Sequence, residues 1–334
     1  MSLADWFGGK AGKSFSGTVA FNMRPVKGPW GGSSVYVHQM KRFLEFKGYK
    51  VRFDLNGPVD VIVIIDPRDD LQYKAFGLDA IAAYKKQNPQ VRVLHRINEC
   101  DQRKGTDFMD DELRRGNDLA DGTLFISAWL RDYFVERWFD AARSHVVVYN
   151  GADTRFFHPV GRVPFVDGQP IRMVTHHWSD NPMKGFPVYE ELDRLIANGE
   201  LPGVEFMVVG RWPDSIQWKA ARTHGPASGN ELADLLRQNH LYITASQWEP
   251  CGMHHVEGMQ CGLPIVYHKD GGGIVEASER CGLGFTNNLS DVIREAVADY
   301  RKLEEQVYRN MPSGDRMVLQ NFQYMQQLIA GAKG

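Results

Sequence analysis

Short apolar, β-branched runs alternate with longer stretches of helical period along the chain, which predicts βαβ units and a parallel sheet. In the first half the strand runs are TVAFNM (18–23), YKVRFD (49–54), VDVIVII (59–65), VRVLHRI (91–97), GTLFIS (122–127) and HVVVYN (145–150). VDVIVII is apolar at almost every position, as expected of a strand covered on both faces. Helical patterns fall between the runs: VYVHQMKRFLEFKG, ending on Gly48 at a C′ position, then LDAIAAYKKQ and SAWLRDYFVERWF. A stretch rich in Pro and Gly, FHPVGRVPFVDGQP (157–170), breaks the pattern and reads as a linker. The rhythm then restarts with IRMVTH (171–176), VEFMVVG (204–210), HLYITAS (240–246) and PIVYH (264–268). Two helical patterns, SDVIREAVADYRKLEEQVYRN and SGDRMVLQNFQYMQQLIAG, close the chain.

The predicted architecture is α/β, with two Rossmann-like doubly wound domains facing each other across a cleft. Residues 1–157 form the first domain and 158–314 the second, and a last helix over about 315–334 packs back on the first. Ligands of such sheets bind at the carboxyl ends of strands, so chemistry is expected in the loops that follow them.

Composition narrows the classes. The 334 residues, 43% hydrophobic and 24% charged, suit two ordinary globular domains, each with its own core. A formal net charge of −2 gives no reason to expect nucleic acid as a partner. Basic residues exceed acidic ones by three up to residue 157 and fall short by five after it, a mild asymmetry. Cys100, Cys251, Cys261 and Cys281 form no Cys-x-x-Cys pair, which argues against a disulfide framework or a zinc site and for a reducing, cytoplasmic setting. No apolar run approaches the roughly 20 residues of a membrane span, and the start lacks the apolar core of a secretory signal. Trp6, Phe7, Lys10, Lys13 and Phe15 offer peripheral contact with a membrane surface, against the preferred reading of a frayed terminus.

The segment ITASQWEPCGMHHVEGMQCGLPIVYHKDGGGIVEA (243–277) carries the chemistry. A strand enters a loop holding Glu249, Pro250 and Cys251. Gly252 then opens a helix of roughly three turns, which Gly262 and Pro264 end. Free N–H groups at the helix start make an anion site, and Gly252 lets a ligand approach the backbone. Glu249 before the helix and Glu257 inside it can accept bonds from two separated sets of hydroxyls. A bare Glu-x7-Glu is more often two surface glutamates; here the surroundings change the weighing.

Glu249, Gly252, Glu257, Gly258, Met259, Cys261, Gly262, Pro264, Ile265, Val266, Gly271–Gly273 and Glu276 fall on the Glu-x7-Glu pattern of retaining glycosyltransferases of the GT-B fold, and the segment resembles family 4 in particular. VVVYNGADTRFFHP (146–159) resembles that family's entry into its second domain, and HHWSDNPMKGF (176–186) its basic phosphate loop. GRWPD (210–214) and ELADLLRQNHLYITAS (231–246) follow in the same order. The likeness covers about residues 145–290; the first half agrees only in fold and order.

The resemblance implies that Glu257 holds the donor ribose and Glu249 the hydroxyls of the transferred sugar. The N–H groups of Gly252, Met253 and His254 would face the sugar and diphosphate, and Lys184 would pair with the leaving diphosphate. The family's usual arginine a few residues before that lysine is replaced by His176, His177 and Trp178. Either a histidine shares the charge, or Arg211 reaches in from the next strand end. In the first half, Gly31 and Gly32 would bring backbone donors to the diphosphate or acceptor; the plain alternative is a turn capped by Ser33 or Ser34. The polar cluster of His95, Arg96, Asn98, Glu99 and Asp101 matches the acceptor side, with His95, Asn98 and Asp101 favoured. No Asp-x-Asp motif occurs, so the expected transfer needs no metal or cofactor. The donor is a UDP-, GDP- or ADP-sugar, and the acceptor a glycan, lipid or small molecule. A nucleotide-sugar epimerase, a sugar phosphorylase and a non-catalytic nucleotide-sugar binding module are the rival readings.

Overall fold

A computed structural model describes residues 17–26, 28 and 31–331. The aromatic and basic residues between Trp6 and Phe15 lie outside the described residues. Two six-stranded, all-parallel sheets organise the described residues. The first holds β1 (Thr18–Phe21), β2 (Lys50–Arg52), β3 (Val61–Ile64), β4 (Arg92–Ile97), β5 (Gly122–Phe125) and β6 (His145–Val147), in the spatial order β2-β1-β3-β4-β5-β6. The second holds β7 (Ile171–His177), β8 (Val204–Gly210), β9 (Arg222–His224), β10 (Leu241–Thr244), β11 (Ile265–His268) and β12 (Gly282–Phe285), ordered β12-β11-β10-β7-β8-β9. The strand order reverses between β1 and β3 in one sheet and between β7 and β10 in the other. Those two switch points are where ligands enter such folds.

Strand alternation explains the layers. Val61 and Val63 pack with Tyr36, Met40 and Leu44 of helix Gly32–Phe46. Ile62 and Ile64 point the other way, onto Leu78 and Ile81 of helix Leu78–Gln87. In the second sheet Leu241 and Ile243 meet Phe186, Tyr189 and Leu192 of helix Phe186–Ala197, while Tyr242 and Ile265 meet Val256 and Met259 of helix Met253–Gln260. Each sheet is thus covered on both faces, and each fully buried Ile or Leu side chain contributes about 1.5–3 kcal/mol.

Three sequence expectations change. β9 and β12 have no apolar run to betray them: one is the short, exposed RTH at a sheet edge, the other the glycine-rich GLGF. The long pattern over 290–310 is two helices, Leu289–Ala298 and Tyr300–Asn310, broken at Asp299, whose φ of −93° and ψ of 12° depart from the helix. Helix Met253–Gln260 has eight residues, a little over two turns rather than three. It stops because Gly262, at φ +84°, takes the left-handed conformation that turns the chain into β11.

Helix Gly314–Ala330 returns to the first sheet. Tyr36 Oη donates to Asn321 Oδ1 at 2.7 Å, and the Phe322 ring meets Phe43 and Tyr49 edge-on. The chain therefore passes between the sheets twice, near 148–152 and near 311–314. The passes touch: a Cβ on Gly151 would lie 2.3 Å from the Ser313 carbonyl carbon, and one on Gly314 would lie 2.1 Å from the Ala152 oxygen.

Candidate active site

The two switch points face each other across a cleft of ≈ 1030 Å³ lined from both domains. The second domain supplies the helix mouth. Gly252 caps helix Met253–Gln260 with no side-chain bond, and Gly252, Met253 and His254 all line the cleft. Four first-turn amides have no carbonyl four residues back, so the helix presents donors and a positive dipole end to that space. Glu257, one turn in, is 8% exposed and accepts from His176 Nε2 at 2.8 Å. His176 is fixed in turn by the Tyr242 hydroxyl at 3.1 Å.

Lys184 comes from the turn Pro182–Lys184 after β7. Gly185 follows at φ +82°, where a Cβ would lie 2.2 Å from the Ala245 oxygen, so only glycine lets the turn fold against the strand. Lys184 Nζ donates to Glu249 Oε2 at 2.9 Å. The Glu249 backbone bridges to the glycine loop, with Glu249 N on Gly271 O at 3.2 Å and Gly273 N on Glu249 O at 2.9 Å. Trp248 just before it sits at φ +46°, an uncommon conformation for a non-glycine residue. Burial alone would raise the Glu249 pKa, yet Arg103 and Lys184 hold its carboxyl down to about 2. It is a carboxylate at any working pH.

Arg103 belongs to the first domain, in the short helix Asp101–Lys104, and was not singled out in the sequence. Its Nη2 donates to Glu249 Oε2 at 2.5 Å, and Nη1 donates to the Met183 and Gln247 carbonyls at 2.9 and 3.1 Å. Nothing in a one-dimensional reading distinguishes Arg103 from Lys104 beside it. Other contacts also join the lobes. Asn150 Nδ2 donates to Cys251 O at 2.6 Å, and Gln260 Nε2 donates to Ala152 O at 3.0 Å. Glu276, a matched position of the motif, accepts from the Ala128 amide at 3.0 Å and from the Tyr149 hydroxyl at 2.6 Å, so it caps a first-domain helix.

The first-domain wall begins with Gly31 and Gly32, which open helix Gly32–Phe46 without a serine cap. A Cβ on Gly32 would lie 2.8 Å from Met253 Cγ, so the glycine turn presses against the opposite helix mouth. Asn98 lines the cleft and donates to Ser33 Oγ at 2.6 Å. Glu99 lines it too, paired with Lys104 at 3.2 Å, its pKa raised by burial.

Several expected residues lie elsewhere. His95 is fully buried against Gly116, absent from the cleft lining, and burial lowers its pKa to about 3. Asp101 spends its carboxylate on the Thr106 hydroxyl and the Met109 and Asp110 amides, bracing the loop. Arg211 is exposed, donates to the Trp178 carbonyl at 2.6 Å and does not line the cleft. His177 does line it but is bonded to the Tyr189 hydroxyl at 2.9 Å, and burial, with Lys184 nearby, keeps its pKa well below the usual value. Burial likewise keeps His254 neutral, with Nε2 at 2.9 Å from the Thr244 hydroxyl. Neither His177 nor His254 shares a cationic role, His176 is committed to Glu257, and Arg211 does not reach in.

Residues 216–312 match the family described as "Glycosyl transferases group 1", a match that takes in Glu249 and Glu257. No curated protein matches the chain. Among solved structures, sucrose-phosphate synthase from Thermosynechococcus elongatus is 18% identical, at TM-score 0.67, covering 94% of this chain and 100% of its own. HepE of Anabaena in complex with UDP-glucose is 16% identical, at TM-score 0.63, over 95% of this chain and 99% of its own. WaaG, a glycosyltransferase involved in lipopolysaccharide biosynthesis, is 14% identical, at TM-score 0.61, over 91% and 98%. The class is therefore the GT-B fold, two Rossmann-like domains across a ligand cleft. The glycosyl transferases group 1 match falls within its second domain. Among the described residues no helix is long and apolar enough to cross a membrane.

Proposed function

We propose that the protein is a retaining, family-4-like glycosyltransferase that moves a hexose from a nucleoside-diphosphate-sugar to a glycan, lipid or small-molecule acceptor without a metal. The observation that carries this reading is the convergence of three groups on one cleft at a switch point: the free amides at Gly252–His254, the Lys184 ammonium and the Glu257 carboxylate. Transfer builds negative charge on the departing diphosphate, and fixed donors aimed at that charge stabilise it. Glu257 accepts from the ribose hydroxyls and Glu249 from those of the sugar. The first-domain wall, with Asn98 and Gly31–Gly32, receives the acceptor and limits water. Four buried, unpaired cysteines support a reducing, cytoplasmic setting.

The HepE complex makes UDP-glucose the first donor to try. Thermal unfolding with UDP, GDP, ADP and their glucose conjugates identifies the donor, because a ligand bound only by the native state raises its stability. Product anomers then report the stereochemistry. Donor incubated alone, with and without phosphate, separates transfer from epimerisation and phosphorolysis. Failure of every nucleoside diphosphate to shift the unfolding midpoint refutes the reading.

A further inference from the structure

Charge on the cleft floor does not balance. Lys184 Nζ and Arg103 Nη2 both bond Glu249 Oε2, and the three side chains are only 9, 6 and 13% exposed. The neighbouring Lys104 and Glu99 neutralise each other. Two buried cations on one carboxylate leave one positive charge over, and buried charge without a partner is costly. Burial lowers the Lys184 pKa; Glu249 opposes that shift, and Arg103 adds to it. The helix mouth at Gly252 adds further positive potential to the same space. The floor is therefore built for an anion that brings the missing negative charge.

The second cation does not come from where the resemblance would place it. Arg211 is turned out, His177 is neutral, and His176 is bonded to Glu257. Arg103 instead reaches over from the first domain, its fork anchored on the Met183 and Gln247 carbonyls, which lie beside Lys184 and close to Glu249 in the chain. We propose that Arg103 is the second cation of the diphosphate site, supplied across the cleft by the first domain, so that the anion site is complete only when the domains are closed. Lys184 gives the first grip from the second domain. Closure then adds a guanidinium, whose planar fork suits phosphate oxygens. This rests on the nucleotide-sugar reading above and deepens it.

The test uses calorimetric binding of UDP, GDP and ADP, and of the matching monophosphates, to the full-length wild type, Arg103→Ala and Arg103→Lys. For the base the wild type prefers, Arg103→Ala is expected to weaken the diphosphate about 10- to 100-fold, while the monophosphate changes little. Arg103→Lys falls between, keeping the charge and losing the fork. Equal loss for mono- and diphosphate would mean that Arg103 only supports the loops, and would overturn the proposal. Unchanged diphosphate binding in Arg103→Ala would overturn it too, while leaving the transferase reading standing. Wild-type protein that binds none of the three diphosphates would overturn both. If Arg103→Ala does not fold, the ratio of the two affinities in Arg103→Lys decides, and an unchanged ratio refutes the assignment.

Discussion

Lys184 and Glu249 illustrate what a single residue does here. Lys184 is 7% exposed and bonded to the Glu249 carboxylate. On the proposed reading it also pairs with the departing diphosphate, a charge-assisted contact worth about 1.5–3 kcal/mol. Lys184→Ala should slow transfer about 10- to 100-fold in initial-rate assays while the protein stays folded. Wild-type turnover would end its assigned role. Buried histidines act differently. His95 and His255 are neutral, each with a pKa lowered to about 3 by burial. Below pH 6.5 the unfolded chain binds protons that the folded state refuses, so stability falls as pH drops from about 6.5 towards 3. Urea unfolding at pH 7.5, 6 and 5 should show this decline. His95→Leu should flatten the slope by up to about 1.4 kcal/mol per pH unit. Glu249, held down to about 2 from an ordinary 4.5, adds to the decline only below about pH 5, so the comparison of pH 7.5 with pH 6 reports the histidines.

The residue scale also explains what the sequence could reveal. Glu249, Gly252 and Glu257 were legible because strand, loop and helix are contiguous, and spacing along the chain becomes spacing in the site. Period-two alternation defeats the same reasoning in β4. It sends His95 against Gly116 and Arg96 to the opposite face, where its guanidinium stacks 4.0 Å over the Tyr36 ring. Residue type told of polar chemistry near 95–101, but only the pleat tells which side chains reach the cleft. Asp101 was misread for another reason: its carboxylate satisfies local amides, a use that composition does not separate from catalysis.

At the scale of elements, the short helix Met253–Gln260 governs the site because its middle is pinned. A Cβ on Gly258 would lie 2.4 Å from the Tyr242 ring, and Tyr242 holds His176, which holds Glu257. Gly258→Ala should therefore cost about 1–3 kcal/mol of stability by overpacking and should also weaken nucleotide binding through the displaced ring. Denaturant unfolding and nucleotide titration of one variant check both; a loss of stability with unaltered affinity would break the chain from ring to carboxylate. Edge strands show the limit of pattern reading. The central strands of both sheets stand out because burial on two faces demands apolar residues throughout, whereas Arg222–His224 has one neighbour strand and little burial to enforce such a pattern.

For the whole molecule, the two domains are joined by more than covalent passage. Helix Gly314–Ala330 covers the first domain although it follows the second in sequence, and the two passes lie against each other at Gly151 and Ser313. Gly151→Ala should force these backbones apart and cost about 1–3 kcal/mol, read from the unfolding midpoint. Tyr36→Phe should cost about 1 kcal/mol by removing the bond to Asn321. The layout of sheets and linker could be read from rhythm alone. The contacts that hold the lobes together could not, since Glu276 on Ala128 and Asn150 on Cys251 are more than a hundred residues apart.

Two strands of chain pressed side by side form a pivot, and a pivot sets leverage. Any movement of one lobe against the other has to be carried by that short joint. The bonds of Asn150 to Cys251 and of Gln260 to Ala152 start from the joint itself. Bonds that cross between the lobes away from it, those of Arg103 and Glu276, have to break for the gap to widen. Opening the molecule therefore means undoing two anchors at once, the Arg103 guanidinium on one side and the Glu276 carboxylate on the other.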